Sequence, residues 1–128
     1  MNMTKHILLV DDEIAIIRAA EVKLSRAGFR ITCCHDGIAA LEAVQRERPD
    51  LILTDCQMPR MGGLEMLTKL RETVSAAELP AFMLTAKGLE LPHDELREKL
   101  GVLGVFSKPF SPREVLKTIE AHFAAGAV

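Results

Sequence analysis

The sequence predicts an open, doubly wound α/β sheet, with parallel strands covered by helices on both faces. Three observations predict it. Short apolar runs alternate five times with longer stretches whose apolar residues recur at helical spacing. Most of the short runs are continuously apolar, as strands buried on both faces are. Polar and acidic residues follow the runs, where a sheet of this kind places its ligand site.

The elements follow in order. "HILLV" (6–10) is a first strand, ended by acids, and "EIAIIRAAEVKLSRAG" (13–28) is a helix carrying Ile17, Ala20, Leu24 and Ala27 on one face, with Gly28 as its stop. "FRITCC" (29–34) is β-prone, and its neighbours Cys33 and Cys34 are expected to point to opposite faces of the sheet. "GIAALEAVQRERP" (37–49) reads as a helix with Ile38, Leu41 and Val44 inward, stopped by Pro49. "DLILTD" (50–55) is the third strand, "GLEMLTKLRET" (63–73) a helix with Leu64, Leu67 and Leu70 inward, and "PAFMLT" (80–85) the fourth strand. "GLELPHDELREKLG" (88–101) is a weaker helix with Pro92 at or before its first turn. "LGVFS" (103–107) is the fifth strand. "SPREVLKTIEAHFAA" (111–125) opens with Ser111, Pro112 and Glu114 in the spacing of a capping box, and Val115, Leu116, Ile119 and Phe123 form its apolar face.

A chain of 128 residues fits one domain, residues 1–128, and can hide roughly two-thirds of its unfolded surface without disulfide or metal support. There is no Trp or Tyr and there are only five Phe, so the core is expected to be aliphatic. A formal net charge of −2 with interspersed signs is no footprint for nucleic acid. Three cysteines without a scaffold spacing suit reduced thiols. "MNMTKHILLV" is too short in its apolar part for a signal peptide or a membrane span, which points to a cytoplasmic protein without a membrane partner. His6, His35, His93 and His122 have no metal-ligand spacing and read as surface or helix-end residues.

The strand ends carry the chemistry. Asp11, Asp12 and Glu13 follow the first strand, Asp55 ends the third, Thr85 the fourth, and Lys108–Pro109 follows the fifth. A single acid there is ordinarily a cap or turn residue, and a single Thr or Lys carries no message. Together they make a phosphoryl-transfer site. Clustered carboxylates repel unless a cation neutralises them, hard oxygen ligands suit Mg²⁺, an ammonium suits a phosphoryl oxygen, and a carboxylate can itself become an aspartyl phosphate.

Those residues sit in four blocks, "LLVDDE", "LILTDCQMPRMGG", "FMLTAK" and "FSKPF", which resemble in sequence and order the response-regulator receiver domain of two-component signalling, over nearly the whole chain. The resemblance implies a flavodoxin-like sheet of order 2-1-3-4-5, the order that the rule for doubly wound sheets also favours. It implies that Asp55 is the phospho-acceptor and that Asp12 binds Mg²⁺ directly and Asp11 through water. Asp55 and the backbone carbonyl of Gln57 complete the metal site. It further implies that Thr85 and Lys108 meet the phosphoryl group, and that the Lys108–Pro109 bond is cis. The expected partners are a sensor histidine kinase or phosphotransfer protein, which supplies the phosphoryl group, and a downstream protein that reads the surface of the fourth helix, fifth strand and fifth helix. The ending "AHFAAGAV" suggests a stand-alone, chemotaxis-regulator-like domain.

The chain departs from that pattern at three places. Val105 stands where the family carries an aromatic three residues before the lysine. Phe106, one step along, is expected on the other side of the sheet. Gly62 stands where an acid usually precedes the loop glycine, which removes a carboxylate and is expected to loosen the loop. Gln57 and Lys87 fill two positions that tune phosphoryl lifetime in the family. The resemblance implies a phosphorylation-controlled signalling switch, and two other functions compete with it. A metal-dependent phosphohydrolase would use Asp55 in turnover, but ordinarily carries a second acid where Gln57 stands. A scaffold would bind its partner without phosphate. Cys56 beside the acceptor reads as a packed thiol.

Overall fold

The computed structural model describes residues 4–86 and 93–125. Its ten elements alternate: β1 (His6–Val10), α1 (Ile14–Arg26), β2 (Arg30–Cys34), α2 (Gly37–Arg46), β3 (Leu51–Asp55), α3 (Gly63–Leu70), β4 (Ala81–Thr85), α4 (His93–Leu100), β5 (Val102–Ser107) and α5 (Pro112–Ala125). All strand pairs are parallel, in the order β2-β1-β3-β4-β5.

Every residue of β1, β3 and β4 is buried, which is why these runs are mainly apolar, with His6, Thr54, Asp55 and Thr85 as their polar members. Leu8, Val10, Ile52 and Met83 pack under α2, α3 and α4, while Ile7, Leu9, Leu51, Leu53, Phe82 and Leu84 pack under α1 and α5. Cys34 faces the first layer and Cys33 the second, as period two requires. The first layer is aliphatic and thioether. All five phenylalanines (Phe29, Phe82, Phe106, Phe110 and Phe123) belong to the second, where Phe82 and Phe106 stack at 5.9 Å and Phe29 and Phe123 at 5.7 Å. The aliphatic expectation therefore holds for one face only. Gly104 leaves room for Phe82, whose ring would lie 3.2 Å from a Cβ there.

The helices are shorter than periodicity suggests. Residue 48 precedes Pro49 and is biased away from helix, so α2 stops at Arg46 and Glu47 is extended (φ −155°). Its inward face is Gly37, Ala40, Ala43 and Val44, while Ile38 is exposed. Small residues let α2 lie close to the sheet, and a search for large apolar residues passes over them. Likewise Ala27 of the expected α1 face is exposed, and α3 gives way to turns after Leu70. The expected helix over 88–101 is described as His93–Leu100; its opening residues, with Pro92 and Lys87, lie outside the described residues. In α5 the Ser111 hydroxyl accepts the Glu114 N–H at 3.4 Å, half of the expected capping box. His6 is not a surface residue: it is buried, with Nε2 2.7 Å from Thr32 Oγ1 across the β1–β2 pair. Burial and the neighbouring Arg30 hold its imidazole below the ordinary histidine range.

Among the described residues no helix is long and apolar enough to cross a membrane. Because strand order reverses between β1 and β3, the carboxyl ends of these two strands open a crevice in the rim of the sheet.

Candidate functional site

Asp11 follows β1 and Asp55 ends β3, so the switch in strand order sets the two carboxylates side by side. Asp12 joins them: one carboxylate oxygen from each of Asp11, Asp12 and Asp55 lies within 4.8 Å of the others. Asp11 is fully buried, Asp55 nearly so, and Asp12 is exposed. Asp11 is aimed by the start of α1, where its Oδ1 accepts the Glu13 backbone N–H at 2.9 Å. That leaves Oδ2 for the site.

Lys108 reaches the same point from the far side. β5 pairs with β4 up to Ser107 opposite Thr85, and the Lys108 N–H donates to the Thr85 carbonyl at 2.7 Å. The Lys108–Pro109 peptide is cis, as expected. Nζ donates to Glu13 Oε1 at 2.8 Å and to Asp55 Oδ2 at 3.2 Å, and lies 3.0 Å from Asp11 Oδ2 in an ion-pair contact off the hydrogen-bond line. Burial pushes the Asp55 carboxyl above the ordinary carboxylate range and Asp11 adds to the rise, while Lys108 and the Gln57 N–H oppose it. Burial alone would lower the Lys108 ammonium. Its contacts with Glu13 and Asp11, with the charges of Asp11 and Asp55, outweigh burial and hold it above the usual lysine value. Cys56 is buried beside Asp55, and burial pushes its thiol up, against thiolate chemistry.

These groups line a cleft of about 310 Å³ formed by Asp12, Glu13, Asp55, Cys56, Gln57, Ala86 and Lys108. Thr85 lies behind the cleft rather than in its lining. It is buried at the end of β4, and its Oγ1 has no partner among the described residues. Sequence reasoning placed Asp11, Asp12, Asp55, Gln57 and Lys108 together, and the structure brings them together. It set Glu13 among the strand-end acids without a role of its own, and the structure makes it the nearest partner of Lys108.

The loop between β3 and α3 is pinned rather than loosened by its glycines. A Cβ on Gly62 would lie 2.8 Å from the Cys56 carbonyl and one on Gly63 2.1 Å from the Asp55 carbonyl. The Gly63 N–H donates to Cys56 O at 2.9 Å, and Gly37 N–H to Met61 O at 2.8 Å. Arg60 adopts a left-handed backbone (φ 66°) and binds Asp36, with Nε 2.8 Å from Oδ2. Asp36 in turn caps α2 through the Ala39 N–H at 2.8 Å. That backbone bond and the Arg60 guanidinium hold the Asp36 carboxyl below its usual value. Val105 faces the α2–α4 layer and Phe106 the α1–α5 layer, so Phe106 does not substitute for the aromatic expected at 105.

The residues present fit a hard divalent cation. Three carboxylates converge against a single lysine among the described cleft residues, and Asp11 Oδ2 is buried without a hydrogen-bond donor among the described residues. The donors are all oxygen, and no described backbone N–H takes the Gln57 carbonyl.

Comparison with known proteins finds matches along most of the chain. A profile of the response regulator receiver domain matches residues 7–120. The alkaline phosphatase synthesis transcriptional regulatory protein PhoP of Bacillus subtilis (strain 168) is 39% identical over 119 residues, covering 93% of this chain and 48% of that protein, so the chain spans about half its length. The chemotaxis response regulator CheY4 of Vibrio cholerae superposes with a TM-score of 0.81 at 30% identity, covering 93% of this chain and 98% of that one. A CheY-like response regulator receiver domain protein from Methanospirillum hungatei JF-1 superposes with a TM-score of 0.84 at 25% identity, covering 96% of each chain.

Proposed function

The chain belongs to the family of response regulator receiver domains, phosphorylation-dependent signalling domains modified on aspartate, and on that premise we propose that residues 1–128 form one receiver domain whose phospho-acceptor is Asp55. The observation that carries the proposal is the contact of Lys108 with Asp55 at the mouth of the cleft. Receiver domains bind Mg²⁺ at an acidic pocket, and here Asp11, Asp12, Asp55 and the Gln57 carbonyl would hold it. When bound, the ion offsets the carboxylate charge and polarises the phosphoryl oxygens.

The chemistry belongs to Asp55. Its carboxylate attacks the phosphorus of a phosphohistidine in line; a P–O bond forms, the P–N bond breaks, and the imidazole leaves. Lys108 stays protonated and pairs with a phosphoryl oxygen. The buried Thr85 hydroxyl, with no partner among the described residues, turns to another. Water later cleaves the acyl phosphate and restores the carboxylate. The donor is a sensor histidine kinase or phosphotransfer protein, and a downstream protein reads the face of α4, β5 and α5. The protein accepts and loses one group and turns nothing else over: Gln57 is no acid to protonate a leaving group. With Val105 in place of an aromatic, Thr85 and α4 carry the rearrangement.

Intact-protein mass after incubation with acetyl phosphate tests this. The expected result is a gain of one phosphoryl group with Mg²⁺, none with EDTA, and none in Asp55→Asn. A gain that persists in Asp55→Asn overturns the assignment.

A further inference from the structure

Lys108 carries three N–H donors, and three carboxylates already surround them: Glu13 at 2.8 Å, Asp11 at 3.0 Å and Asp55 at 3.2 Å. Two of its donors are engaged, by Glu13 and Asp55, and Asp11 holds it as an ion pair without a hydrogen bond. A phosphoryl oxygen that reaches it enters a shell of three anionic carboxylates, and the three are not equally easy to displace. Asp11 is wholly buried, so losing its cation leaves a charge away from water. Asp55 is the acceptor itself. Glu13 is 57% exposed and returns to solvent at small cost. Its backbone is fixed at the start of α1 by Asp11, so its side chain is always within reach of the ammonium. It is not among the three acids whose oxygens converge for a cation.

We propose that Glu13 is a positioning residue: its carboxylate competes with the phosphoryl group for Lys108, and release of that ion pair is part of filling the site. The inference rests on Asp55 as acceptor and Lys108 as its phosphoryl partner. Glu13 parks the lysine in the unphosphorylated domain, where it partly offsets the buried acids, and gives it up when the phosphoryl oxygens arrive. No proton moves in the exchange: one charge-assisted hydrogen bond replaces another.

The test is a double-substitution cycle on the rate of phosphorylation by acetyl phosphate at saturating Mg²⁺. Glu13→Gln keeps the shape and removes the charge. The expected result is an acceleration of about two- to fivefold, the range that a partly exposed ion pair spans, which vanishes when the same change is made in Lys108→Met. Equal acceleration in both backgrounds means that Glu13 acts through its field on the anionic donor, and overturns the proposal; so does no acceleration in either. Should Lys108→Met not fold, the ¹⁵N signal of the Lys108 ammonium decides. On addition of beryllofluoride it moves in wild type, and Glu13→Gln already lies part of the way there; identical starting signals overturn the proposal. A wild type that takes up no phosphoryl group brings down the assignment of Asp55 and this inference with it, whereas uptake that is indifferent to Glu13 brings down this inference alone.

Discussion

Gly63 is where the backbone of the site is least tolerant. A methyl group there would lie 2.1 Å from the Asp55 carbonyl oxygen, 3.1 Å from its carbon and 3.0 Å from Thr54 Oγ1. Cβ contacts under 3.0 Å essentially do not occur, so the start of α3 must move from the end of β3 by about 0.9 Å merely to reach that limit. The closest partner, the Asp55 carbonyl, is backbone and cannot rotate aside. The movement also stretches the 2.9 Å bond from the Gly63 N–H to Cys56 O. Overpacking of this kind costs ~1–3 kcal/mol and a lost buried hydrogen bond ~1 kcal/mol. Gly63→Ala is therefore expected to lose about 2–4 kcal/mol in urea denaturation with EDTA, a large part of the 5–15 kcal/mol typical of a domain. Gly62→Ala, where the encounter is 2.8 Å, is the control and is expected to lose about 1 kcal/mol or less. Because Asp55 belongs to the segment that moves, phosphorylation by acetyl phosphate slows in Gly63→Ala as well. A Gly63→Ala stability within ~0.5 kcal/mol of wild type, or equal to that of Gly62→Ala, refutes the reasoning.

Three other outcomes follow from the same geometry. Lys108→Met leaves Asp11 and Asp55 buried without their cation and should cost ~3 kcal/mol in EDTA, partly recovered by Mg²⁺; a loss below ~1 kcal/mol in urea melts would show that the lysine does not hold these acids. Thr85→Val removes a buried hydroxyl that has no described partner, so the unphosphorylated protein keeps its stability or gains up to ~1 kcal/mol while its affinity for beryllofluoride falls, measured by titration; unchanged affinity would remove Thr85 from the site. Asp36 has a folded-state pKa below its unfolded value of about 3.9, so its contribution is complete above that pH and is lost as pH falls through the folded value. Asp36→Asn should accordingly flatten the acid limb of a stability–pH curve below about pH 4, and an acid limb identical to wild type would contradict the cap and Arg60 assignments.

The fold was legible because β1, β3 and β4 are buried on both faces and so carry runs that no loop carries. The site was legible because strand ends in such a sheet converge, which makes Asp11, Asp55 and Lys108 neighbours whatever lies between them. What sequence could not give depends on contacts made far along the chain. Glu13 looks like a solvated helix-start acid until Lys108, 95 positions away, is beside it. His6 looks like a surface residue at the start of a strand until Thr32 covers it. The need for Gly63 is set by the Asp55 carbonyl, and the buried face of α2 by alanines that hydropathy scarcely counts.

The central claim, that Asp55 carries the phosphoryl group, is tested most directly by borohydride reduction of the protein after acetyl phosphate and Mg²⁺ treatment, followed by peptide mass spectrometry. Reduction turns an aspartyl phosphate into homoserine. The account predicts homoserine at position 55 and no reduced acid elsewhere; homoserine at Asp11 or Asp12, the corresponding five-carbon hydroxy amino acid at Glu13, or no reduced residue in a protein that has gained a phosphoryl group, would contradict it.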